Sequence, residues 1–176
     1  MREVEALGIP RYLIVPNAHH RLDVRAWKRR YPDALVLAPS GARDAVAEAA
    51  PVDGDEHALQ DTHARLRPVA GTGEAELAFE VRRGDGLTLI VNDIIAHVTH
   101  PPGVGAQLVA RLMGFGVNKP AVPRIVKRML VRDAAALASQ FRAWSRDGSL
   151  RRIVPSHGDI IEDPALVLAD LADRLG

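Results

Sequence analysis

Three short apolar runs of the sequence are each followed by side chains that can bind a metal ion. These side chains are His19 and His20 after the first run, Asp93 after the second and His157 after the third. The chain contains no cysteine, so any metal must be held by histidine, carboxylate and water. A divalent ion held in this way can keep one coordination position for a water molecule. It lowers the pKa of that bound water to about 7. The residues therefore favour metal-assisted hydrolysis, with Asp93 as the catalytic residue that binds the metal and orients the water.

The elements that must position these residues alternate between strands and helices. Apolar runs that end at loop residues predict buried strands at 11–15, 34–38 and 150–155. The alternating segment 76–81 and the apolar run 87–91 predict a β-hairpin. Apolar residues at helical spacing, followed by residues that typically end a helix, predict helices at 22–31, 42–50, 123–130, 133–144 and 164–175. This order indicates a layered α/β fold in which loops at adjacent strand ends share a crevice.

The composition fits one folded domain spanning residues 1–176, with 47% hydrophobic and 26% charged residues. The 23 basic residues are interleaved with 22 acidic ones, which argues against nucleic-acid binding because such proteins cluster their basic charge. No stretch approaches the roughly 20 apolar residues of a spanning helix, and the N-terminal segment lacks the basic region of a signal peptide. We therefore expect a cytoplasmic protein with no membrane partner.

Three segments, taken in order, resemble the metallo-β-lactamase superfamily. The string RYLIVPNAHHRLDVRAWKRRYPDALVLAPSGAR at 11–43 is similar to the strand, histidine loop, helix and strand that carry its first ligands. GDGLTLIVNDII at 84–95 resembles its hairpin ending in the metal-bridging aspartate, and RRIVPSHGDII at 151–161 resembles its final strand and histidine loop. The resemblance implies a four-layer αββα sandwich with a metal site at its edge. The superfamily comprises hydrolases of lactams, thioesters, phosphoesters and nucleic acids, with some oxidoreductases.

The first ligand loop departs from the pattern of that superfamily. Its signature is HxHxDH, whereas this sequence has NAHHRL at 17–22. With Asn17 on the first position of the pattern, only His19 coincides with a histidine. A shift of the alignment by a residue or two would make His20 or Asp23 the relevant group instead.

The remaining ligand positions match only in part. Asp93 and His157 correspond to the bridging aspartate and the last histidine of the superfamily. The middle histidine should fall near 71–73, where the sequence has Gly-Thr-Gly, and His63 lies too early to replace it. The resemblance therefore implies one zinc or iron ion in an incomplete site formed by His19, Asp93 and His157, with His20 as a further candidate.

Each candidate also has a structural interpretation. The two loop histidines could hold a strand-to-helix turn, Asp93 could cap a following helix, and His157 could be a turn residue. His97 and His100 match no ligand of the superfamily. Two functions follow: a metal-dependent hydrolase of a small-molecule ester, thioester or phosphoester, or a metal-free binding or structural module in which these side chains hydrogen-bond one another.

The first ligand loop comes early in the chain, whereas members of the superfamily usually begin with more strands. We therefore expect a shortened N-terminal sheet, whose exposed edge a homodimer could cover. The segment 112–120, which glycine and proline interrupt, is predicted to be a loop that forms a movable wall of the pocket.

Overall fold

The computed structural model describes residues 2–176, among which it contains six β-strands and seven α-helices. The strands are β1 (Tyr12–Ile14), β2 (Leu35–Leu37), β3 (Ala64–Pro68), β4 (Leu77–Arg83), β5 (Gly86–His97) and β6 (Leu150–Gly158). The helices are α1 (Arg2–Leu7), α2 (Val24–Arg30), α3 (Arg43–Ala47), α4 (Gly103–Met113), α5 (Arg124–Met129), α6 (Ala134–Ser145) and α7 (Pro164–Asp173). The order of strands and helices predicted from the sequence is thus present, with α1, β3 and α4 in addition.

The strands form two separate sheets. β1 and β2 pair in parallel, with Tyr12 opposite Leu35. The other sheet has the order β3-β4-β5-β6; its first three strands are antiparallel, while β5 and β6 run parallel. The predicted hairpin is the β4–β5 pair, in which Arg83 lies opposite Gly86.

Three apolar clusters define the layers between and outside these sheets. The first cluster packs β1 and β2 against α2 and α3, with Val24, Val36 and Val46 at its centre. The second lies between the two sheets and joins Leu37 to Leu66 and to side chains of β4. The third and largest cluster packs β5 and β6 against α6 and α7; it contains Leu89, Ile153, Phe141 and Leu168 among others. The molecule is therefore the predicted αββα sandwich, with a first sheet of only two strands.

β5 extends further than the sequence pattern suggested. The polar pair Asn92-Asp93 looked like the end of a strand, but Ile94 and Ile95 continue it to His97. The register against β6 shifts between Val91 and Ala96, and this irregularity accommodates the polar residues inside the strand. The helix that Asp93 was expected to cap is therefore a continuation of the strand.

The predicted loop at 112–120 begins inside a helix, because residues 103–113 form α4. Two glycines bound the helix, and both have a positive φ: Gly103 at its start, with 84°, and Gly114 just after its end, with 77°. Gly114 is a left-handed C-cap whose N–H bonds to the carbonyls of Ala110 and Arg111. The interior from Ala106 to Met113 consists mostly of good helix formers, so the glycines delimit this helix instead of breaking it.

Within residues 2–176, none of the helices is both long enough and apolar enough to span a membrane.

Candidate metal centre

Three of the candidate ligands lie together at one edge of the sandwich. His20 ends a short 3-10 helix, Ala18–His20, that follows β1, while Asp93 and His157 lie on the neighbouring strands β5 and β6. The parallel pairing of these strands places Ala96 opposite His157, and the register shift beside Asp93 brings both side chains to the same edge. Sequence-distant residues therefore converge because the two sheets meet there.

The ligand atoms of this group face one another closely. The Nε2 atom of His157 lies 3.1 Å from Oδ1 of Asp93, and Nε2 of His20 lies 3.2 Å from the same oxygen. The ring centroids of the two histidines are 5.8 Å apart. In the described part of the chain, His20, Asp93 and His157 form the one group whose ligand atoms all lie within 4.8 Å of each other.

This donor set fits a single zinc-like ion. Two imidazole nitrogens and a carboxylate oxygen are donors that zinc commonly takes in catalytic sites, where water completes the coordination. Ligands about 2.1 Å from an ion at the centre of a tetrahedron lie about 3.4 Å apart. The observed nitrogen-to-oxygen distances of 3.1 and 3.2 Å come close to that separation.

Asn17 fixes the other oxygen of the aspartate. Its fully buried side chain donates from Nδ2 to Oδ2 of Asp93 at 2.8 Å and to Oε2 of Glu76 at 3.0 Å. Its Oδ1 accepts the backbone N–H of His19 at 2.8 Å and thereby caps the short 3-10 helix that carries His20. One amide thus orients the carboxylate and holds the histidine loop.

Glu76 lies directly behind this amide and is fully buried. Besides Asn17, its carboxylate accepts the backbone N–H of Ile94 at 2.9 Å. Burial raises the pKa of Glu76 to about 7, and the nearby charge of Asp93 acts in the same direction, although hydrogen bonds from Asn17 and Ile94 oppose both. Glu76 therefore forms the buried anchor of the network that leads to Asp93.

An apolar cavity of about 270 Å³ opens beside the three ligands. Its walls come from the segment after α4, from α5 and from the ligand loop; besides the three ligands, it is lined by His19, Phe115, Ile125, Val126, Met129 and Leu130. Phe115 meets the His157 ring edge-on, with centroids 6.4 Å apart. The proposed pocket wall at 112–120 thus contributes Phe115, although the first residues of that range belong to α4.

His19 occupies a different place from the other candidate ligands. Its side chain lines the cavity, but it lies outside the group formed by His20, Asp93 and His157. Of the two adjacent histidines it is thus His20 that meets Asp93. Asp23, the other alternative of a shifted alignment, lines a separate cavity between β1 and α2.

The remaining histidines lie away from this group. His63 is exposed and its Nδ1 pairs with the neighbouring Thr62 hydroxyl at 2.9 Å. The Nδ1 atom of His97 is 3.3 Å from the carbonyl oxygen of Asp159, and His100 is exposed. No histidine stands in the Gly-Thr-Gly segment at 71–73, and the group that could hold a metal consists of His20, Asp93 and His157.

The sequence analysis did not assign roles to Asn17 and Glu76. Asn17 was noted only as a substitute for the first histidine of the pattern. The alternation of 76–81 places Glu76 on the same strand face as Ala78 and Glu80, and all three are buried. The same alternation assigns Glu76 and Glu80 to the polar face of the strand, so the sequence carried no signal for the burial of Glu76.

The fold of this chain is similar to that of metallo-β-lactamases of known structure. The mono-zinc form of the metallo-β-lactamase FIM-1 from Pseudomonas aeruginosa superposes with a TM-score of 0.56 at 16% identity over 93% of this chain and 66% of the lactamase. The metallo-β-lactamase DIM-1 gives a TM-score of 0.58 at 15% identity, over 99% of this chain and 78% of that one. This chain therefore spans about two thirds to four fifths of the length of these lactamases.

A protein of another kind has the same fold. The flavodiiron core of Flv1 from Synechocystis superposes with a TM-score of 0.56 at 14% identity, over 93% of this chain and 42% of that core. No family profile matches the chain, and no curated protein matches it in sequence. At these identities the comparisons establish a metallo-β-lactamase fold.

Proposed function

We propose that this protein is a metal-dependent hydrolase that binds one zinc or iron ion through His20, Asp93 and His157. Its substrate is a small-molecule ester, thioester or phosphoester. The observation that supports this function is the convergence of three ligand atoms, from distant parts of the sequence, beside an apolar cavity. In the reaction, water adds to the carbonyl carbon or the phosphorus, the bond to the leaving group breaks, and the leaving group takes up a proton.

The two histidines serve as neutral nitrogen ligands. Both direct Nε2 towards the same oxygen of Asp93, so one ion can reach all three donors. Protons compete with the metal for these nitrogens, so the affinity for metal falls in acid. When bound, a divalent ion supplies Lewis acidity that lowers the pKa of water to about 7.

Asp93 holds its orientation because of the amide behind it. Asn17 fixes Oδ2, which leaves Oδ1 facing the imidazoles of His20 and His157. A carboxylate fixed at one oxygen cannot turn away when substrate enters, so its arrangement is set before the reaction. Asn17 is therefore a positioning residue of the proposed site.

The cavity favours substrates with an apolar group next to the bond that is cleaved. Phe115, Val126 and Met129 are among its walls and give the space beside the candidate ligands an apolar surface. A volume of about 270 Å³ suits a short acyl or aryl group.

A specific observation also supports the alternative, a metal-free binding or structural module. Both oxygens of Asp93 have hydrogen-bond partners within the protein: His20 and His157 at Oδ1, and Asn17 at Oδ2. This is the arrangement expected if the polar residues of the former site simply satisfy one another. The two functions differ in one measurable property, the stoichiometric binding of metal.

The experiment measures metal content and hydrolysis on the same samples. Elemental analysis of the purified protein is combined with assays on p-nitrophenyl esters, acyl thioesters and bis-p-nitrophenyl phosphate. Asp93→Ala and His157→Ala are compared with His63→Ala, a matched control at an exposed histidine outside the site.

For the hydrolase we expect one equivalent of zinc or iron in the wild type and in His63→Ala, and loss of both metal and hydrolysis in the two site variants. Substoichiometric metal that neither site variant alters would exclude the hydrolase and support the metal-free module.

A further inference from the structure

Helix α4 presents its large apolar side chains to solvent. Val104, Leu108 and Leu112 follow one another at four-residue spacing and are 84%, 59% and 61% exposed; Val109 beside them is 57% exposed. Residues at this spacing share one helix face. The opposite face, which contains the buried Ala110, is the one turned towards the protein. This orientation reverses the usual one, in which the larger apolar side chains of a surface helix face the core.

Helix α5 extends this apolar surface towards the candidate metal centre. Ile125 and Met129 are both exposed, and both also line the cavity beside the ligands. Among the charged residues of α5, Arg128 borders Ile125 around the helix, Arg124 lies further round, and Lys127 lies on the opposite face. We call the exposed side chains of α4 and α5 the α4–α5 face.

The segment that carries this face has charged residues of one sign only, although Lys119 pairs with Asp170 of α7 at 3.4 Å. Residues 101–132 contain six basic and no acidic residues, whereas the remainder of the chain contains 17 basic and 22 acidic ones. In a protein of net charge +1, the positive charge is thus concentrated on the segment that also carries the exposed apolar side chains. An occupant of this face must combine negative charge with an apolar interior.

We propose that the α4–α5 face binds the surface of an anionic lipid bilayer. A helix with an apolar side and basic residues at its border lies in the headgroup region, with its apolar side chains among the acyl chains. Each basic residue near an anionic surface contributes about a fivefold gain in affinity. This partner differs from the sequence-based expectation of no membrane contact, which rested on the lack of a spanning segment.

The shape of the face favours a bilayer over a peptide. A peptide helix docks into a groove, whereas Val104, Leu108 and Leu112 project from an outward-facing helix. A second copy of this chain is the other conceivable occupant, and its binding would show as dimerisation through the same residues.

Vesicle sedimentation with the full chain tests this proposal. Vesicles of phosphatidylcholine are compared with vesicles of phosphatidylcholine and phosphatidylglycerol in equal amounts. The apolar variant is Leu108→Ser with Leu112→Ser, and its matched control is Leu22→Ser with Leu166→Ser, two leucines elsewhere that are even more exposed. The charge variant is Arg111→Glu with Arg128→Glu, two exposed basic residues that border the apolar side chains, matched by Arg29→Glu with Arg83→Glu at exposed positions outside the segment.

We expect the wild type to bind the mixed vesicles and to bind neutral vesicles at least tenfold less. The apolar and the charge variant should each weaken binding to mixed vesicles by about tenfold or more, while both controls bind like the wild type. Circular dichroism verifies that each variant is folded. Asp93→Ala should bind like the wild type, so this result is independent of whether the protein is a hydrolase.

Three outcomes would overturn the proposal. They are an absence of binding to mixed vesicles, equal binding to neutral vesicles, and folded apolar or charge variants that bind no differently from their controls. Size-exclusion chromatography adds a fourth: if Leu108→Ser with Leu112→Ser converts a dimer into a monomer, the face is an interface between copies of this chain.

Discussion

The side-chain amide of Asn17 and the carboxylate of Asp93 are joined by a hydrogen bond of 2.8 Å between Nδ2 and Oδ2. The two residues are 76 positions apart: Asn17 caps the short 3-10 helix that follows β1, whereas Asp93 lies on β5 of the other sheet. Asn17, which the sequence resemblance sets against a histidine, therefore orients the carboxylate of the proposed ligand Asp93.

Replacing Asn17 by alanine should weaken both the fold and the metal centre. The change leaves the buried oxygens of Glu76 and Asp93 without their donor and removes the cap of the histidine loop. We expect a loss of about 2–4 kcal/mol in the free energy of unfolding, and a zinc affinity about tenfold to a hundredfold lower. Urea unfolding and zinc titration measure the two effects. Asn118→Ala, at an exposed asparagine, is the control and should change neither.

Glu76 should make stability depend on pH in the metal-free protein. Its pKa is raised by burial to about 7, above the value of 4.5 that it has when exposed. The folded state therefore binds the proton of Glu76 more tightly than the unfolded state does. The stabilisation from this protonation is complete below about pH 4.5 and is lost as the pH rises through 7. The loss is at most about 3 kcal/mol.

The variant Glu76→Gln tests this dependence. Glutamine cannot ionise, so the free energy of unfolding should fall less steeply between pH 5 and 7 than in the wild type. The free energy of unfolding of Glu76→Gln should be lower overall than that of the wild type, because the glutamine side-chain amide faces the side-chain amide of Asn17. The measurement is urea unfolding at several pH values in the presence of a chelator, with the exposed Glu74→Gln as control. Equal slopes in Glu76→Gln and the wild type would show that Glu76 is not the group responsible.

The sequence predicted the layers of this fold better than the details of its site. Contiguous apolar runs such as RYLIV and ALVLA identify buried strands without tertiary information and indicated a layered α/β fold, whereas the αββα order was implied by the family resemblance. The extent of β5 beyond Asp93 depends on a register shift against β6, which no local pattern encodes. The choice between His19 and His20 depends on the short 3-10 helix, since a single-residue rotation there exchanges the two side chains. The burial of Glu76 arises from the packing of two sheets.

Zinc titration should distinguish the two adjacent histidines. His20→Ala removes one of three ligand atoms, and we expect the zinc affinity to fall by about a hundredfold or more. His19→Ala removes a cavity wall but no member of the ligand group, so it should keep stoichiometric zinc binding. A greater loss in His19→Ala than in His20→Ala would reassign the ligand to His19.

Gly158 should be required for the position of its neighbour His157. Its φ is 119°, and a Cβ at this position would lie 1.9 Å from the carbonyl oxygen of His97. Both the backbone angle and the contact exclude a side chain, so Gly158→Ala must displace the end of β6. We expect a loss of about 3 kcal/mol in the free energy of unfolding, together with weaker zinc binding as His157 moves from Asp93. Gly148→Ala is the matched control, because a Cβ there meets no atom within 4 Å. If Gly158→Ala is as stable as Gly148→Ala and binds zinc like the wild type, the end of β6 does not position His157.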